Sequence, residues 1–379
     1  MTRFDDFYRR ATATQLHAVS AQACLPSEIA SRAVGLHAAR IKTPHMTLVG
    51  RRACAGEYAS LTPPTECPLV KAPLMRSTLH YVLESEFAKF HCATVGYRVA
   101  RRLRSLRRLG LDDRSINALR LSLIDHLSEE GIPEDELLRL AQELLKTVHV
   151  VRGDRSEAYV SWQICRLLWD NGDIRMTNIA YDWRREQRHF RPWPIPQVDT
   201  LDAVSHLVLR YITAYGPVSA KDVAWWSALG ARTLKTCLDE LSVTDRVVQI
   251  HSGNKTWYAN PACSGEHLEA SCQDPMIFLA YEDPFIKAYF DTRDRYASPY
   301  ALSRLFHSTG EARASVLLRG RVRGIWEVSP RDESARLTLC PSLNHVERQR
   351  AVDAWEEHLL ALCGSKPRYE VIHDTHSYQ

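Results

Sequence analysis

Two short polar segments are the places where this 379-residue chain could do chemistry: Val19-Ser20-Ala21-Gln22 and Met75-Arg76-Ser77-Thr78-Leu79-His80. Taken alone, Ser20 and Gln22 can close a turn by bonding backbone groups, a common role for short polar side chains. In a strand, Thr78 and His80 point to the same face, an ordinary pair on a half-buried surface. The usual catalytic signatures are missing from the sequence: no P-loop, no G-x-G-x-x-G, no G-x-S-x-G and no H-E-x-x-H. The sixteen histidines show no metal-ligand spacing. Recombinase, nuclease and ATPase chemistry thus lose their usual support, and neither metal nor cofactor is expected.

The elements that must position these segments follow from apolar spacing. A helix is expected from about Phe4 to Val19, with Ser20 to Pro26 as the turn after it. Ser27 then caps a helix through Val34, Leu36 and Ala39. Residues 50–75 read as a proline-rich loop, and Thr78 to Leu83 as a strand. Between 111 and 193 the order is helix, helix from Pro133 to Lys146, helix through Tyr159, Trp162 and Leu168, then a hairpin starting near Asp173. The order recurs at 200–260. Leu201, Val204, Leu207, Val208, Tyr211 and Tyr215 make one helical stripe, closed by Gly216-Pro217. Two further helices follow, then Val247 to Ile250, a Ser252-to-Lys255 turn, and Thr256 to Tyr258. Helix, helix, helix, hairpin is the winged-helix plan. Beyond residue 275, three short strands around Val316-Leu318, Ile325-Val328 and Leu337-Leu339 form a β-meander, and a final amphipathic helix carries Trp355 and Leu359.

Composition is that of a folded chain: 45% hydrophobic and 25% charged. None of the ten cysteines has C-x-x-C spacing, so they read as small buried hydrophobes of a reducing compartment. No apolar run reaches the length of a membrane span, and the charged start MTRFDDFYRR is not a secretory signal. The protein is expected in the cytoplasm. Net charge is only +4, but arginines cluster at 98–108, at 184–191 and at Arg319, Arg321 and Arg323. Each cluster alone could be a solvated face; three of them favour DNA phosphates as partners.

Several motifs, in order along the chain, resemble the AlkZ/YcaQ-type DNA glycosylases. They are Arg76-x-Thr78-Leu79-His80; Gly216-Pro217 with Asp222 and Trp225-Trp226; Asp283-Pro284-Phe285 with Asp294-Arg295; and Gly320-Arg321-Val322 with Gly324 and Trp326. The family's catalytic element is a Gln-x-Gln or Gln-x-Asp motif in an N-terminal turn. The resemblance implies that its polar residues fall on Ser20 and Gln22, with serine standing where the first glutamine is expected. A guanine alkylated at N7 is positively charged and leaves as a neutral base, so the enzyme needs no strong acid. It must hold a water and stabilise an oxocarbenium-like sugar, which the carbonyl dipole of Gln22 could do. His80 could bond the lesion or a nearby phosphate.

The expected fold is α+β: tandem winged-helix (helix-turn-helix) domains, a β-meander or partial barrel, and a terminal helix. The expected divisions are 1–95 with the catalytic turn, 96–198 with a basic helix, 199–265, and 266–379. The expected function is a monofunctional glycosylase, without lyase activity, acting as a monomer on double-stranded DNA that carries a bulky N7-alkylguanine adduct, in base-excision repair or in self-resistance to a genotoxic antibiotic. Gln22 and Ser20 are its catalytic candidates, and Thr78, His80, Arg76, Arg101, Arg104, Arg321 and Arg323 its substrate and DNA contacts. The alternatives are a non-catalytic DNA-binding regulator, a lesion-sequestering factor, or a protein-interaction scaffold.

Overall fold

The computed structural model describes Leu16 and residues 25–51, 68–147, 157–180, 182–264, 276–329, 334–364 and 367–373. Ser20 and Gln22 lie outside the described residues. The chain is mixed α+β, and its described residues divide into two compact units. One holds the N-terminal stretch with residues 208–226 and 230–373; the other holds residues 68–207 and 227–229.

The chain enters through α1 (Pro26–Arg32), β1 (Leu36–His37) and α2 (Thr43–Gly50). The expected helix starting at Ser27 and running to Ala39 is corrected here. Ser27 lies inside α1, whose start is closed by the Glu28 carboxylate accepting from the Leu25 amide at 3.0 Å. The helix stops at Arg32 because Val34 (φ 50°) and Gly35 (φ 107°) turn left-handed.

The second unit begins with a hairpin, β2 (Leu69–Pro73) and β3 (Leu79–Leu83), registered Lys71↔Tyr81 and Ala72↔His80. Four helices follow: α3 (Glu84–Arg108), α4 (Asp113–Asp125), α5 (Glu134–Lys146) after the short β4 (Ile132–Pro133), and α6 (Glu157–Asn171). A second hairpin, β5 (Ile174–Asn178) and β6 (Arg188–Pro192), completes the unit's sheet in the order β3-β2-β5-β6-β4. The strand expected at 78–83 therefore shares a sheet with the hairpin near 174. Residues 95 and 96 lie within α3, which no proline interrupts. Phe87, Phe90, Thr94 and Arg98 recur on its buried face.

The long helix α7 (Thr200–Tyr215) leads into the first unit again. There β7 (Val218–Ser219), α8 (Ala220–Ser227), α9 (Ala231–Val243), β8 (Val248–Ser252) and β9 (Lys255–Ala259) follow, with the strands ordered β7-β9-β8. The remainder is a five-stranded sheet: β10 (Met276–Leu279), β11 (Ser315–Leu318), β12 (Arg321–Ser329), β13 (Ser334–Leu339) and β14 (Arg368–His373). Between β10 and β11 lie α10 (Pro284–Lys287) and α11 (Pro299–Leu305). The helix α12 (His345–Cys363) packs Trp355 and Leu359 on Phe278, Trp326 and Leu337 of the sheet. It is not the last element: β14 follows and pairs parallel with β13, Leu337↔Val371.

Candidate functional site

In the second unit, Arg76, Thr78 and His80 are brought together by one tight turn. Leu74 to Thr78 fold back so that the Leu74 amide donates to the Thr78 carbonyl at 3.0 Å. Arg76 (φ 52°) and Ser77 (φ 60°) are consecutive non-glycine residues in the left-handed region, a conformation that costs free energy unless its surroundings enforce it. They do enforce it. The Tyr97 hydroxyl donates to the Leu74 carbonyl at 2.8 Å and accepts from the Ser77 amide at 3.2 Å. The Thr78 hydroxyl donates to the Met75 carbonyl at 2.9 Å. Arg98, 1% exposed, donates to the Pro73 carbonyl, to the Thr94 carbonyl and to Nδ1 of His91.

His80 sits beneath this turn. Burial, with the Arg76 charge beside it, pushes its pKa down to about 3, against the pull of the Thr78 carbonyl. The ring is therefore neutral at physiological pH. Nδ1 lies 3.0 Å from the Thr78 carbonyl oxygen, so chemistry assigns the proton there and leaves Nε2 as an acceptor.

Of the arginines at 98–108, three are engaged internally. Arg98 is the buried anchor just described, Arg102 bonds Asp170 and Gln163, and Arg107 pairs with Asp113 at 2.8 Å. Arg101, Arg104 and Arg108 are exposed and, at three- and four-residue spacing, form one stripe along α3. Among the described residues none of these three has a carboxylate partner. The second cluster splits in the same way. Arg188 belongs to a network in which Lys71, Glu186 and Glu134 alternate in charge, while Arg185 and Arg191 are exposed. Burial lowers the pKa of Lys71 although Glu186 opposes the shift.

The first unit holds the third cluster. Arg321 donates to the Asp294 carbonyl at 3.0 Å and Arg323 to the Ser342 hydroxyl at 3.0 Å. The motifs singled out in this unit interlock. The carboxylate of fully buried Asp222 accepts from the Phe290 and Asp291 amides at 2.8 and 2.7 Å and from the Thr292 hydroxyl at 2.7 Å. Arg295 donates to the Pro217 carbonyl at 2.7 Å. Asp283 caps α10 and pairs with Arg51. Gly324 is required because a Cβ there would stand 2.6 Å from the Thr338 carbonyl. Trp326 donates to the Leu279 carbonyl from the core, and Trp226 stacks on Tyr211 in the interior. These motifs specify packing.

Sequence reasoning missed two features. Tyr97 and Arg98 enforce the Arg76 turn; the apolar spacing of α3 groups 98 with the buried 87, 90 and 94, but it groups exposed 101 with them too. The other is His37 on β1, 3% exposed, with Nε2 3.6 Å from the Glu282 carboxylate. Glu282 also accepts from the Lys287 ammonium at 3.1 Å. No local pattern in the sequence pairs residues so far apart.

A sequence profile of the family "DNA glycosylase AlkZ-like" matches residues 30–362. The chain belongs to the AlkZ-like DNA glycosylase family. Its fold is also similar to that of the Streptomyces sahachiroi DNA glycosylase AlkZ, with a TM-score of 0.74 and 16% identity over 98% of this chain and 100% of that one. No curated protein sequence matches the chain. Family membership makes DNA the substrate class. The matched span contains Arg76, Thr78, His80, all three arginine clusters and His37, and begins downstream of Ser20 and Gln22. No helix among the described residues is long and apolar enough to cross a membrane.

Proposed function

We propose that this chain is a monofunctional DNA glycosylase that hydrolyses the N-glycosidic bond of a bulky N7-alkylguanine in double-stranded DNA, acting as a monomer, and that it serves repair of, or self-resistance to, a genotoxic alkylator. The family match over residues 30–362 carries the activity. The DNA surface is supported by the exposed stripe Arg101, Arg104 and Arg108, which has the spacing and the unspent charge for phosphate contacts. The order α7, α8, α9, β8-β9 supports a winged-helix module. The preference for a cationic lesion rests on chemistry: such a base departs neutral, so a site needs only a held water and a dipole for the developing positive charge.

Two places could hold that water. Gln22, with Ser20 beside it, is the first. The second is His37, which is supported by the Glu282 carboxylate near it and by its position inside the family span, on β1 between α1 and α2. An imidazole beside a carboxylate is a suitable group to orient a water or carry a proton.

Purified protein is expected to release modified base from a duplex carrying a bulky N7-guanine adduct, leaving an intact abasic site. Tight adduct binding without release would establish a sequestering protein instead. Gln22→Ala and His37→Ala, assayed side by side, are expected to separate the two places: the variant that loses at least about 100-fold in single-turnover rate while still binding DNA marks the water-positioning residue. Full activity in both would place the chemistry elsewhere.

A further inference from the structure

The five-stranded sheet of the first unit has two faces, and α12 covers one of them. Strand alternation sends Ile325, Glu327, Arg336 and Thr338 to the other. On that side a cavity of about 680 Å³ opens, within the ordinary size range of small-ligand sites. The first turn of α2 (Lys42, Thr43, Met46) and the segment carrying Arg304, His307 and Arg313 complete its wall. Five cationic side chains line it against a single carboxylate, Glu327. Two of the five are balanced locally, Arg40 by Glu311 at 3.3 Å and Arg336 by Glu327 at 3.0 Å. Among the described residues Lys42 and Arg313 have no carboxylate partner, and Nε of Arg313 is buried without a hydrogen bond. A buried donor left unsatisfied is costly. Cations gathered around a cavity, with the positive end of a helix in the wall, are resolved by an anion. The Tyr281 ring, with Arg40 5.6 Å from its centroid, offers a flat surface beside them.

We propose that this cavity is a phosphate-binding site, with Lys42 and Arg313 as its principal cations. The phosphate could belong to a nucleic-acid backbone or to a free nucleotide; only the first source rests on the DNA reading above. Binding of an unmodified duplex is to be followed by fluorescence anisotropy from 50 to 200 mM salt, for wild type, Lys42→Glu and Lys42→Glu/Arg313→Met. Titration with deoxyadenosine monophosphate and with inorganic phosphate runs in parallel. If DNA occupies the site, the log–log salt slope is expected to fall by about one for the single variant and by about two for the double, close to 0.9 per phosphate contact. If a free nucleotide occupies it, the duplex slope stays constant and nucleotide affinity drops at least tenfold in both variants. Unchanged duplex slopes together with no nucleotide or phosphate binding overturn the proposal. Should the double variant unfold, as circular dichroism would reveal, Lys42→Glu at exposed Lys42 decides alone. Base release, assayed separately, keeps failure of the glycosylase reading distinct: a slope change without excision supports the cavity and sinks the enzyme.

Discussion

Asp283 is fully buried, and its carboxylate accepts from both ends of the Arg51 guanidinium at 2.7 Å each and from the Phe285 amide at 2.9 Å. Arg51 closes α2, so this pair ties the N-terminal segment to α10 within the first unit. A buried bidentate pair is worth little over an apolar replacement, but removing one partner strands a charge. Asp283→Asn is therefore expected to cost about 3–5 kcal/mol in denaturant unfolding. The exposed pair Arg336–Glu327 is the contrast, and Glu327→Gln should change stability by less than about 1 kcal/mol. If the two variants were equally mild, burial would not be what makes the Asp283 pair matter.

At the scale of elements, α3 does two jobs along its length. Its middle packs Tyr97 and Arg98 against the turn that presents Arg76 and sets the His80 tautomer. Its last two turns expose Arg101, Arg104 and Arg108. Tyr97→Phe keeps the ring and removes the hydroxyl that spans Leu74 and Ser77. It is expected to cost about 1–3 kcal/mol and to speed amide exchange at Ser77 specifically. It should also lower single-turnover excision while leaving the salt dependence of DNA binding unchanged. Unaltered exchange at Ser77 would show that the left-handed turn holds itself without Tyr97. Arg98, counted from sequence among the phosphate contacts, belongs to this packed middle. Helical spacing groups 98 with 87, 90 and 94, but it groups 101 with them as well, so spacing alone does not separate the two arginines.

For the whole molecule, buried histidines set the acid limit. His80 and His91 in one unit and His358 in the other are each held down to about 3, chiefly by burial. In the unfolded chain they titrate near 6.5, so below that pH the unfolded state binds more protons. Stability is full above about pH 6.5 and is lost as pH falls toward 3, at about 1.4 kcal/mol per pH unit for each histidine. The Tm is expected to fall steeply from pH 7 to pH 5. His358→Phe, which fits the stack with Phe278 and Trp355, should flatten the slope of the first unit; a Tm independent of pH over that range would refute the account.

What the sequence determined by itself was local. The helices at 113, 134, 157, 200 and 231 and the strands near 316, 325 and 337 were legible, because apolar periodicity and Gly or Pro punctuation act over a few residues. Family resemblance was legible too, because motifs such as Asp222 with Gly216-Pro217, and Asp283-Pro284-Phe285, are short. Only the tertiary structure decided what those motifs do, since Asp222 meets residues 290–292 and Arg51 meets Asp283 across long stretches of chain. It also decided which arginines keep their charge for a partner. Arg98 and Arg101 are three residues apart and chemically identical, yet the packing of α3 gives one to the Pro73 carbonyl and the other to solvent. The pairing of His37 with Glu282, and the cavity that gathers Lys42 with Arg313, were equally beyond the sequence, because contacts between distant segments follow from packing and not from spacing.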